Sequence, residues 1–65
     1  MKEDERAIAD FERALAISPD DATALLRRGE ARLRLGDRDG ARADLERVVE
    51  LQPAWKDYVG KLLED

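Results

Sequence analysis

Ala7-Ile8-Ala9-Asp10-Phe11-Glu12-Arg13-Ala14-Leu15 and Ala41-Arg42-Ala43-Asp44-Leu45-Glu46-Arg47-Val48-Val49 are two copies of one segment. They superpose at a shift of 34 residues, and the same shift places Pro19 on Pro53. Ala7/Ala41, Ala9/Ala43, Asp10/Asp44, Glu12/Glu46 and Arg13/Arg47 are identical, while Phe11/Leu45, Ala14/Val48, Leu15/Val49 and Ile17/Leu51 stay apolar. Chance similarity rarely keeps both the residues and the apolar phase, so the chain contains a true internal repeat.

The periodicity predicts four helices. The first covers about 4–17, with Ala7, Ile8, Phe11, Ala14 and Leu15 on one stripe. Ser18-Pro19 ends it, because a residue before proline avoids the α region. Asp20 or Asp21 then caps a second helix that runs to about Leu35 and stops at Gly36. Asp37 opens a third, with Ala41, Leu45, Val48 and Val49 on its stripe, ended by Gln52-Pro53. A fourth, about 54–64, carries Trp55, Tyr58, Val59, Leu62 and Leu63, all expected in the core. Short connections predict antiparallel neighbours. The expected fold is therefore all-α, an antiparallel array of four helices in a single domain over 1–65.

Composition narrows the chemistry. The 65 residues include no Cys and no His, which removes thiolate and imidazole ligands and the commonest general base near neutral pH. Charged residues make up 43% of the chain with a net charge of −4, and the two signs are interspersed, as on solvated helix faces. Net acidity speaks against generic nucleic-acid binding, although Arg27, Arg28, Arg32, Arg34, Arg38 and Arg42 make the region around the second helix locally basic. Asp37, Asp39 and Asp44 lie close enough to neutralise it. The first residues are polar and acidic, with no apolar stretch after them, so no signal peptide and no membrane span is expected, and the cytoplasm is the expected location. Glu46 and Glu50 lie one turn apart on an exposed face, and Ser18 has no activating base. No phosphate loop or metal-ligand cluster is present, so neither an enzyme nor a cofactor is expected.

The stretch 22–53 resembles one complete tetratricopeptide repeat, on Gly29, Gly36-Asp37, Ala41, Leu45 and Pro53. Residues 4–19 resemble the second helix of a preceding partial repeat, 20–53 the full repeat with its cap, and 54–65 the helix that closes such arrays. The resemblance implies a right-handed superhelix, with Gly29 and Ala41 allowing close helix approach and Leu45 set between the helices. It also implies departures: Leu25 and Arg32 stand where bulky aromatics are usual, Val48 replaces a small residue, and Gly40 replaces a better helix former at a cost of up to about 1 kcal/mol against Ala. Starting in mid-repeat, the chain reads as a truncated piece of a longer array.

Arg28 falls on the same stripe as Ala24, Ala31 and Leu35, where the family commonly has Leu. A sub-pattern with Arg-Gly on the first helix and Asp on its partner predicts an Arg28–Asp44 pair, with Asp10 the second candidate. By resemblance, the groove-facing strip is Thr23, Leu26, Glu30, Leu33 and Arg34. It implies a protein-interaction module that binds a protein or peptide through its concave face. The plainer alternative is that the two leucines pack on the fourth helix or on a missing neighbour. The chaperone-tail clamp of some members is not expected, since the chain has no Asn and places Arg27 where one is needed. The alternative function is a structural role, self-association into a homodimer or larger homo-oligomer through Ile8, Phe11 and Leu15 of the first helix.

Overall fold

The computed structural model describes residues 2–64. Its elements are α1 (Lys2–Ile17), α2 (Ala22–Arg34), α3 (Arg38–Leu51), a 3-10 turn (Pro53–Trp55) and α4 (Lys56–Leu62). The all-helical array expected from the repeat is what forms. The largest difference is in the fourth helix, which starts at Lys56, not Ala54, and ends at Leu62. Proline at the first position shapes Pro53–Trp55 into a 3-10 turn, and only seven residues of α-helix follow.

The helix ends are set by local chemistry. Ser18 closes α1 by donating its amide to the Ala14 carbonyl at 2.9 Å, and Pro19 prevents continuation. Asp21, not Asp20, caps α2, its carboxylate accepting from the Ala24 amide at 3.1 Å. At the other end Gly36 adopts φ 85°, a left-handed conformation that costs an L residue a steric clash. The Gly36 amide then reaches Leu33 O at 3.1 Å and the Asp37 amide reaches Arg32 O at 2.8 Å, the paired bonds of a Schellman motif. Asp37 turns the chain into α3 and caps it by accepting from the Gly40 amide at 2.9 Å.

A Cβ on Gly40 would meet the Asp37 carboxylate where it now lies. That carboxylate is the free end of a side chain, and Asp21 caps α2 through the same bond to a residue that carries a Cβ, Ala24.

Helices α2 and α3 form an antiparallel hairpin: Arg28 meets Asp44, Gly29 meets Leu45, and Arg32 meets Gly40. Ala41, Leu45 and Val48 on α3 are fully buried, joined by Leu25 of α2 and Val59 of α4. Around this cluster pack Leu15, Leu26, Leu33, Val49, Leu51, Trp55, Leu62 and Leu63, each partly buried. Helix α1 lies against α2 on its other side and is tied there by Asp4 to Arg34 at 2.8 Å. Helix α4 packs on α3, with Arg38 donating to the Leu63 carbonyl at 2.9 Å.

Candidate functional site

Helix α2 has two faces of unequal fate. Ala22, Ala24, Leu25, Gly29 and Ala31 are buried. The expected contact strip runs along the remaining surface. Thr23 is exposed, Leu26, Glu30 and Leu33 are half-buried, and the Arg34 side chain is 56% exposed. Both leucines touch the core cluster with part of their surface and leave the rest uncovered.

Both charged members of the strip have a partner. Glu30 accepts the Tyr58 hydroxyl at 2.7 Å through one oxygen and the Arg27 guanidinium at 3.4 Å through the other. The Nε of Arg34 donates to Asp4 at 2.8 Å. Tyr58 was expected in the core with Trp55; it is instead 48% exposed. The stripe of α4 that faces α3 is Trp55, Val59, Leu62 and Leu63, and position 58 lies on its flank. An aromatic with one polar end favours such an edge, where the ring covers apolar surface and the hydroxyl finds a carboxylate. The hydrogen bond from Tyr58 to Glu30, and the negative charge of Glu30 itself, push the phenol above the usual tyrosine value of 10.0.

The other concentration of charge is inside the hairpin. Asp44, with a side chain 5% exposed, accepts from Arg28 Nε at 2.9 Å and Arg28 Nη2 at 2.7 Å. This is the bidentate fork that a planar guanidinium makes with a carboxylate. The Arg28–Asp44 pair expected from the Arg-Gly pattern is present. A third donor comes from Arg32 Nη1 at 2.9 Å, and the same nitrogen approaches the Gly40 carbonyl at 3.5 Å. Arg32 was read as a replacement for a bulky aromatic; it is the second clamp on Asp44. Its spacing of four residues from Arg28 was the available signal, because residues one turn apart share a helix face. The hydrogen bonds to Asp44 raise the Arg28 pKa above its ordinary value, against the opposing effect of burial. Among the described residues no buried side-chain nitrogen or oxygen lacks a partner. The second candidate, Asp10, meets Arg13 at 3.5 Å and remains exposed.

Four of the arginines in the locally basic region thus point at carboxylates of their own chain: Arg27 at Glu30, Arg28 and Arg32 at Asp44, and Arg34 at Asp4. On α1, Ile8, Phe11 and Leu15 are all half-buried, but Leu15 packs onto the core cluster. Beyond them, Ile17 is 85% exposed. Glu46 and Glu50 are exposed. No group of three or more Cys, His, Asp or Glu that could hold a metal occurs among the described residues. No helix among them is long and apolar enough to cross a membrane.

The family model of the tetratricopeptide repeat matches the chain over residues 2–59. No curated protein and no solved structure matches it.

Proposed function

The chain belongs to the tetratricopeptide repeat family, whose members generally serve as protein-interaction scaffolds, and from that premise we propose that its contact surface is the outer strip of α2: Thr23, Leu26, Glu30, Leu33 and Arg34. The observation that supports this reading is the incomplete burial of Leu26 and Leu33 on a helix whose opposite face is closed. Leucines seven apart on one helix line up along its axis, so the two uncovered surfaces form one narrow apolar track. Polar groups frame the track: Arg27 and Glu30 along its length, Tyr58 on one flank and Arg34 at its end. Apolar patches with polar rims are what protein contact surfaces look like.

The partner that fits is a short peptide segment with an apolar side chain for the leucine track and a carboxylate for Arg34. The Asp4 contact uses the Nε of Arg34, and a guanidinium carries about five N–H donors in all. Repeat modules of this family are typically non-catalytic.

The test is selection from a peptide library on the immobilised chain, followed by calorimetry with strip variants. Thr23→Arg and Arg34→Gln change exposed side chains, and the glutamine keeps an N–H donor for buried Asp4. Each is expected to weaken the selected peptide by about tenfold, the scale of one lost charge-assisted contact. Unchanged affinity in both variants, with far-UV circular dichroism intact, would place the contact surface elsewhere.

A further inference from the structure

Asp39-Gly40 is the one place in the sequence where an aspartate precedes a glycine. That pairing has a chemistry of its own. The amide nitrogen of the following residue can attack the protonated aspartyl side chain, and glycine leaves that nitrogen unscreened by a Cβ and its backbone free to turn. The N–Cγ bond forms, the Cγ–OH bond breaks, and the hydroxyl leaves as water with the amide proton. Water then opens the five-membered imide. Attack at Cγ restores aspartate. Attack at the main-chain carbonyl leaves Gly40 joined through Cγ, as isoaspartate, and frees that carbonyl as a carboxylate. Water is the only co-reactant, lost once and regained once.

The fold places this pair in the first turn of α3, with Asp39 exposed. Two features there oppose ring closure. The imide requires the Asp39 backbone to leave the helical ψ. The Gly40 amide also donates to Asp37 Oδ1 at 2.9 Å. The attacking nitrogen must shed that proton, and a carboxylate resting against it disfavours the new negative charge. We propose that Asp39-Gly40 is an isoaspartate site, held shut by the Asp37 cap and opened by fraying of the first turn of α3. Helix ends open at far smaller free energies than whole domains, so the site is reached without unfolding the hairpin. The product has a defined reach. The β-linkage puts one extra carbon into the main chain between residues 39 and 40. Two hydrogen bonds span that point, Gly40 N to Asp37 Oδ1 at 2.9 Å and Ala41 N to Asp37 O at 3.0 Å. The Arg32 nitrogen that holds Asp44 also approaches the Gly40 carbonyl at 3.5 Å. Isomerisation therefore undoes the start of α3 and weakens the α2–α3 hairpin.

In the test the full chain is incubated at neutral pH and sampled over weeks. Isoaspartate is counted with an isoaspartyl methyltransferase and labelled S-adenosylmethionine, and located by separating the two isobaric forms of tryptic peptide 39–42. It is expected to accumulate slowly at residue 39, faster in a free peptide of residues 35–44, and not in Asp39→Glu, whose longer side chain closes a ring far less readily. Asp37→Ala is expected to accumulate it about fivefold faster than the unaltered chain, the factor that one lost N-cap corresponds to. Asp37→Ser, whose hydroxyl also caps, should keep the parental rate. Asp44→Ala, which strands two arginines but spares the cap, should isomerise more slowly than Asp37→Ala. The inference is overturned if residue 39 stays unchanged in both the chain and Asp37→Ala, or if alanine and serine at 37 behave alike. It is equally overturned if Asp44→Ala is the faster, which would make global unfolding the gate. Should circular dichroism show Asp37→Ala unfolded, the Gly40 amide of the unaltered chain decides. Hydrogen exchange as fast as in the free peptide overturns the inference, and protection that matches the slowing of isomerisation upholds it.

Discussion

Replacing Gly29 by alanine pits helix propensity against packing at the tightest point of the hairpin. Within a helix, alanine is favoured over glycine by about 1 kcal/mol. Here the added Cβ would lie 2.9 Å from both Cγ and Cδ2 of Leu45, and 3.5 Å from the Ala41 carbonyl oxygen. Leu45 cannot swing clear cheaply: it is 0% exposed, Cγ is close to its backbone, and fully buried Val48 lies in the same cluster. Forcing an extra carbon into a packed site costs about 1–3 kcal/mol. Packing therefore wins, with a net destabilisation of about 1 kcal/mol. In a chain this small, whose core supplies about 3–5 kcal/mol, that is a large fraction. Urea unfolding followed by far-UV circular dichroism and by the fluorescence of Trp55, the single tryptophan, reads it as a lower midpoint at unchanged slope. Trimming the obstructing side chain provides the internal control. In a double-mutant cycle with Leu45→Val, the two changes should couple favourably by about 0.5 kcal/mol or more. A Gly29→Ala chain as stable as the unaltered one, or a cycle with no coupling, would refute the close-approach argument.

Other outcomes follow from the same geometry. Asp44→Ala strands two arginines that are 19% and 22% exposed, and should cost about 2–3 kcal/mol, somewhat below the cost of breaking a fully buried pair, measured by the same urea titration. Gly60→Ala in α4 adds a Cβ that meets nothing within 4 Å, so it should stabilise by up to about 1 kcal/mol. Gly40→Ala should gain less than Gly60→Ala, since the Asp37 carboxylate must shift to admit the Cβ. The phenol of Tyr58 should titrate above 10.0, and Glu30→Gln should bring it back toward that value, as read by tyrosinate absorbance from the single tyrosine. Because its folded pKa is raised, the Tyr58–Glu30 bond contributes fully below the unfolded value and is lost as pH rises through the folded one, so alkali alone should uncouple it.

Most of the fold is legible in the sequence because its punctuation is local. Pro19, Gly36 and Pro53 each act within a few residues, and the repeat fixes which helices are equivalent. Asp37 could be named as a cap for the same reason, whereas Asp20 and Asp21 compete for one position and only the backbone path chooses between them. The Arg28–Asp44 pair was visible because resemblance supplied the partner. Arg32 was not, since the same resemblance cast its position as apolar, and only the view along the hairpin shows two guanidinium groups converging on one carboxylate. Tyr58 was misjudged because a seven-residue helix has too few turns for its stripe to exclude a flanking aromatic. The uncovered surfaces of Leu26 and Leu33 were legible only through the resemblance, which set both on the groove-facing strip, since a leucine by itself reads as core wherever it stands.

The central claim, that partners bind along the outer strip of α2, is tested most directly by mapping a selected peptide onto the chain by amide chemical shifts. The account predicts that the largest changes run along Thr23, Leu26, Glu30, Leu33 and Arg34 and reach Tyr58 across the Glu30 hydrogen bond. Changes confined to α1, or to the exposed face of α3 around Glu46 and Glu50, with the α2 strip silent, would contradict it.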